Sequence, residues 1–177
     1  IDNKIINIDE PKEILPRSSE LLYHNDPKNP EEELGFNSVS EYEGFLKKNK
    51  LWRDDAPRVI VTGMMGEPTQ LINKLEETGS MVYPARNMRT LIIQQQIDSI
   101  RPAAVINMAH GRMGDMVVNC LNRLNIPLFA PLNINRLVDE WEADKMGMSG
   151  GFLSQSVVTP EIDGAIRPYA LFGHYAD

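Results

Sequence analysis

Cysteine occurs once in the 177 residues, at Cys120, so no internal disulfide can form and the fold has to rest on its core alone. A lone thiol on the apolar spacing of a helix fits a reducing compartment, and the expectation is cytoplasmic. Long apolar runs are also missing: no stretch approaches the ~20 residues that a membrane-spanning helix needs. Positive charge is scarce, with 18 Lys and Arg against 25 Asp and Glu and a net charge of -7. No basic stripe stands out, which argues against nucleic acid as a partner. The spacings C-x-x-C, H-E-x-x-H and G-x-S-x-G are absent, and with them the usual support for zinc, metalloprotease and hydrolase chemistry. What is present is a globular balance, 42% hydrophobic and 24% charged, in a chain long enough for one domain with an extra subdomain. Ile1 opens the chain without Met or a signal peptide, and a strand at Tyr169-Ala170-Leu171-Phe172 stops just before its end. Both features suggest a piece of something longer.

Composition divides the chain into three. Residues 1–57 carry thirteen Asp and Glu against eight Lys and Arg, with prolines at 11, 16, 27, 30 and 57, and read as a mostly irregular N-terminal arm. The arm holds one helix, from Ser38 to Lys48, with Ser38 as N-cap, Glu41 completing a capping box, and Tyr42, Phe45 and Leu46 as its apolar stripe. Residues 58–155 alternate strand and helix. Val59-Ile60-Val61 is a β-branched run suited to a strand covered on both faces. Pro68 opens a helix and Gly79 stops it. Met81-Val82-Tyr83 is a second strand, Met88 to Ile100 a second helix, and Ala104-Val105-Ile106 a third strand. Met113, Met116, Val117, Cys120, Leu121 and Leu124 then recur at helical spacing. Pro127-Leu128-Phe129-Ala130 is a fourth strand, and Ile134, Leu137, Val138 and Trp141 a fourth amphipathic stripe. Met146 to Gly151 read as a mobile loop. Residues 156–177 are expected as a strand pair that leads to a following domain. The fold class is therefore α/β, a parallel flavodoxin-like or Rossmann-like sheet with helices on both faces.

On such a sheet ligands bind beyond the carboxyl ends of the strands, where the strand order reverses. With the wound strands in the order 2-1-3-4, that point lies between the first and the third. Its loops are Gly63-Met64-Met65-Gly66-Glu67 and Asn107-Met108-Ala109-His110-Gly111-Arg112. Gly63 and Gly66 let backbone amides approach an anion, but the spacing is not G-x-G-x-x-G and Glu67 sets negative charge where a phosphate would lie. Glycines for a tight turn explain the loop better than dinucleotide binding. His110 can ligate a metal or move a proton, and Arg112 can pair with a carboxylate; the plainer reading is a turn cap and a surface ion pair. His24 is a second imidazole, in a polar segment where exposure alone would account for it. Glu161 and Asp163, bracketed by Pro160 and Gly164, sit on a bend that is either a site or a solvated hairpin tip.

The order of motifs in the last third narrows these alternatives. Ile126-Pro127-Leu128-Phe129-Ala130-Pro131, then Trp141, then Gly147-Met148-Ser149, then Pro160-Glu161-Ile162-Asp163-Gly164 resembles the large subunit of cobaltochelatase, CobN, and the related H subunit of magnesium chelatase. Tyr23-His24-Asn25-Asp26 is similar to that family's Tyr-His-Pro-Asp, with Asn25 in place of the proline, and Ala104-Val105-Ile106-Asn107 to one of its strands. Ala165 stands where many members have Arg. The resemblance implies one domain of a subunit that holds a tetrapyrrole, a corrinoid or a porphyrin such as haem, and inserts or removes cobalt, magnesium or iron at its centre. ATP would be hydrolysed by AAA+ partner subunits and not bound here. Other partners would be the remaining domains of the same subunit. Glu161, Asp163 and His110 are then the catalytic candidates, and Arg112, His24, Asn107 and Gly66 the substrate-binding ones. The alternative is a non-catalytic ligand-binding or docking module on the same sheet.

Overall fold

The computed structural model describes residues 20–63, 68–147, 149–166 and 170–174, with 133–135 and 170–174 as backbone only. Gly66, and residues 1–19 of the expected arm, lie outside the described residues. In chain order come β1 (Leu22–Asp26), β2 (Asn29–Phe36), α1 (Val39–Lys48), β3 (Arg58–Thr62), α2 (Pro68–Glu77), β4 (Met81–Ala85), α3 (Met88–Ile93), α4 (Ile97–Ile100), β5 (Ala104–Asn107) and α5 (Asp115–Leu124). They are followed by β6 (Leu128–Phe129), β7 (Leu132–Leu137), α6 (Val138–Ala143), α7 (Gly150–Leu153), a π-helical turn (Ser154–Val158), α8 (Thr159–Ile162) and β8 (Ala170–His174).

Six strands form one sheet in the order β2-β1-β4-β3-β5-β6. The pairs β3–β4, β3–β5 and β5–β6 are parallel. The four wound strands thus have the 2-1-3-4 order, and the order reverses between β3 and β5. Side-chain alternation along β3 explains why it sits in the middle: Val59 and Val61 face Ile72 of α2, whereas Ile60 faces the opposite layer with Leu91, Ile97, Ile100 and Leu121. A strand buried on both sides has no room for polar alternation, hence the unbroken β-branched run. Cys120 lies buried on α5, on the apolar side predicted for it.

The acidic first segment is more ordered, from residue 20, than an irregular arm. β1 pairs antiparallel with β2 and with β4, so this hairpin extends the sheet at one edge. α1 closes over it, with Val39, Tyr42 and Leu46 buried and the Tyr42 hydroxyl donating to the Val82 carbonyl at 2.7 Å. Its polar residues fall on the outward strand β2, where Pro30 and the glutamates that follow are exposed, and this is why composition alone hid the strand. Ser38 caps α1 as expected, accepting from the Glu41 N–H at 3.1 Å, while the Glu41 carboxylate reaches back to the Asn37 N–H at 2.8 Å.

Three other elements differ from expectation. The helix read over Met88 to Ile100 is two helices, broken where Gln95 takes φ of 55° and the Gln96 N–H bonds Leu91 O at 2.9 Å. That hydrogen-bond pattern terminates a helix and re-aims the chain so that Ile97 and Ile100 both reach the core. The stripe from Ile134 to Trp141 is divided between β7 and α6; the alternation Leu132-Asn133-Ile134-Asn135 is a period-two signal ahead of it. No residue of α6 is fully buried, so Trp141 does not serve a core-facing helix. Residues 156–166 are not a strand: the stretch from Gly150 is helical, with Ser149 as N-cap accepting from the Phe152 N–H, and the expected mobile loop ends there. Its middle widens to a π-helical turn in which the Thr159 N–H reaches Ser154 O. Pro160 follows directly, a residue with no N–H for a regular helical bond. Ile166 forms a bridge with Phe129, and β8 pairs in parallel with β7.

Candidate functional site

At the carboxyl end of β3 the chain must turn without a side chain. Gly63 has φ of +77°, and a Cβ there would come within 2.4 Å of the Ala109 N and 2.5 Å of Asn107 Oδ1. The loop after β5 lies that close because the Met108 N–H extends the ladder to Thr62 O at 2.7 Å. Asn107 then folds its amide onto its own loop, with Oδ1 accepting from the Ala109 N–H at 3.1 Å. Gly63 is thus packed against the β5 loop, and Asn107 spends its side chain on backbone.

Beyond Asn107 the loop is held by the helical segment 150–163, which arrives from more than forty residues later. His110 Nδ1 lies 2.9 Å from Ser156 Oγ. The Gly111 N–H donates to Gln155 O at 2.9 Å. Asp163 takes the next two groups: Oδ1 accepts from Arg112 Nε at 2.7 Å and Oδ2 from the Met113 N–H at 2.6 Å. Arg112 also donates from Nη2 to Asp115 at 2.5 Å. The Asp163 side chain is only 1% exposed, whereas that of Arg112 keeps 40%. The hydrogen bond to Asp163, then that to Asp115, raises the Arg112 pKa above its ordinary value.

Ser156, Pro160 and Asp163 are the buried residues of this segment, and their separations of four and three put them on one helical face. That face meets the β5 loop. The opposite side carries Val158 and Ile162, both exposed, together with the exposed Glu161. Asp163 does not close the turn at Gly164 with its side chain. The backbone does so, with Gly164 at φ of +69° and the Ala165 N–H on Pro160 O.

The sequence candidates therefore separate. His110, Arg112 and Asp163 are brought together, Asn107 lies at the root of the same loop, and Glu161 stands on the outer side of α8. His24 is elsewhere, on β1, where Nε2 meets Glu76 Oε1 at 3.0 Å and the ring packs 5.2 Å from that of Phe45. Burial disfavours its cation, but the Glu76 hydrogen bond, that to Asn25 O and the charge of Glu76 outweigh it, and its pKa is raised. Ser156, Gln155 and Phe152 were not among the sequence candidates. The helical spacing of Ser156, Pro160 and Asp163 was the available signal, masked by the β-branched Val157-Val158-Thr159.

Among the described residues no group of three or more His, Cys, Asp and Glu side chains is placed to hold a metal ion. A cavity of about 340 Å³ lies between α5 and the turn after α8, bordered by Val118, Asn122, Asn125, Ile126, Asp163 and Gly164. Neither His110 nor Glu161 lines it. No described helix is long and apolar enough to cross a membrane. The family model for CobN/magnesium chelatase matches residues 1–177, the whole chain, while no curated protein and no solved structure matches it.

Proposed function

We propose, from the premise that this chain belongs to the CobN/magnesium chelatase family, that it is a domain of a tetrapyrrole-handling large subunit, in which a divalent metal is inserted into or removed from the macrocycle. Cobalt, magnesium and iron are the candidate metals, corrinoid and porphyrin the candidate rings, and AAA+ subunits the source of ATP energy. The observation that carries the reading is the meeting of Pro160-Glu161-Ile162-Asp163-Gly164, its most family-specific motif, with the loop at the carboxyl end of the parallel sheet.

Within this reading the residues take different roles. Asp163 and Arg112 form the frame that fixes the β5 loop, and Asn107 shapes its root. His110 and Glu161 retain the chemistry, one as imidazole and the other as a carboxylate without a partner among the described residues. Taking pyrrole protons and passing a metal call for groups of these two kinds. His24 is committed to Glu76, and its part is in joining the hairpin to α2.

The experiment is an absorbance titration of the natural protein that contains this sequence with haem, a metal-free porphyrin and a cobalt-free corrinoid. Selective binding of one macrocycle identifies the substrate class, and absence of all three sinks the reading. A second reading, a docking module, is favoured by exposed Val158 and Ile162, which put apolar side chains on the outer side of the helical segment. It gains if Val158→Ser with Ile162→Ser leaves macrocycle binding intact but releases a subunit from the assembled complex.

A further inference from the structure

We propose that Nε2 of His110 is the axial ligand to the metal of a metallated tetrapyrrole, and that Ser156 is the residue that positions this imidazole for it. The inference rests on the tetrapyrrole reading above and goes beyond it by naming the ligating atom and the metal-bearing form of the macrocycle.

Ser156 is 3% exposed, and a hydroxyl buried to that degree needs a partner. Its partner is His110 Nδ1 at 2.9 Å. An imidazole that gives Nε2 to a metal keeps its proton on Nδ1 and requires an acceptor there, the arrangement that orients ligating histidines generally. In that tautomer Ser156 Oγ, 2.9 Å away, is the acceptor. Phe152 sets the ring plane, edge to face at 5.9 Å between centroids. The loop cannot swing the ring away, because Gly111 is bonded to Gln155 on one side and Arg112 and Met113 to Asp163 on the other. Nε2 has no partner among the described residues, and His110 is only half-buried.

The same geometry decides the kind of metal. With no cluster of three ligating side chains among the described residues, a bare ion at His110 would find fewer than the three protein donors of a zinc site there. A metal in a tetrapyrrole brings its in-plane nitrogens with it and lacks only an axial donor. The apolar ring of Phe152 beside His110, with exposed Leu153 next to it, suits the flat face of such a ring. An axial imidazole stabilises the metallated macrocycle over the metal-free one, so the site discriminates between the two sides of the exchange.

The test titrates the natural protein, and its His110→Ala, Ser156→Ala and Ser156→Thr variants, with iron(III) protoporphyrin and with metal-free protoporphyrin, following the Soret band and the iron spin state. His110→Ala is expected to lose the Soret shift and the imidazole spin-state signature, to recover them when free imidazole is added, and to bind metal-free protoporphyrin as before. Ser156→Ala weakens iron-porphyrin binding by about tenfold, leaves the metal-free affinity unchanged, and is restored by Ser156→Thr. Unchanged metal-free binding also certifies that the variants fold. If iron porphyrin binds to His110→Ala with the unaltered spectrum, the axial-ligand assignment is overturned while the tetrapyrrole reading stands. If neither porphyrin binds the unaltered protein, the axial-ligand assignment is overturned, and the tetrapyrrole reading falls with it only when the cobalt-free corrinoid fails to bind as well.

Discussion

Two carboxylates one residue apart, Glu161 and Asp163, end in opposite situations, and the difference follows from helix geometry. Asp163 continues the buried face of Ser156 and Pro160 and gives each oxygen to one donor, whereas Glu161 is turned to the exposed side. Replacing Asp163 by Ala leaves the Met113 N–H without its acceptor, a loss of about 2 kcal/mol in stability. Thermal unfolding should show it, and Glu161→Ala should leave the midpoint within error. Gly63 is a second fixed point: any Cβ meets Ala109 and Asn107, so Gly63→Ala should lower the midpoint more than a Gly147→Ala control, where nothing stands in the way. His24 supplies a pH dependence. Its folded pKa is raised, so its pairing with Glu76 contributes fully below the ordinary histidine value of about 6.5 and fades as pH rises through the folded value. His24→Gln should therefore flatten the decline of urea midpoint as pH rises above about 6.5. A decline of equal slope in the variant would assign the pH dependence to other groups. None of these pairings was legible in the sequence, because each joins residues about fifty positions apart.

Elements were easier to read where local signals agreed with burial. The strand centred on Ile60, the start of α2 at Pro68, its stop at Gly79 and the N-cap at Ser38 all carry their own chemistry, and each stands where that chemistry puts it. Elements failed where the signal was generic. The break between α3 and α4 uses Gln95 in the left-handed region, a place that glycine usually takes, so no residue announced it. Relief of that backbone cost predicts that Gln95→Gly stabilises the protein by roughly 0.5–1 kcal/mol, read as a higher urea midpoint with an unchanged denaturant slope. Destabilisation would mean that the Gln95 side chain matters more than its backbone. The helical stretch 150–162 failed for the opposite reason. Gly150-Gly151 and Val157-Val158-Thr159 oppose helix by propensity, and contacts with the β5 loop override them.

For the whole molecule, the wound parallel sheet was legible because alternation of strand and helix leaves few right-handed solutions. The clasp of residues 150–163 over the β5 loop was not, although it decides the site: it converts the end of an open sheet into a loop fixed from both sides of His110. The proposed function puts the tetrapyrrole at this end of the sheet. Hydrogen exchange of the natural protein, with and without bound porphyrin, tests that most directly. The expected result is slower exchange concentrated in peptides from 107–115 and 150–164, with the hairpin of β1 and β2 unaffected. Protection elsewhere, with these two segments exchanging as before, would contradict it and move the binding surface away from His110.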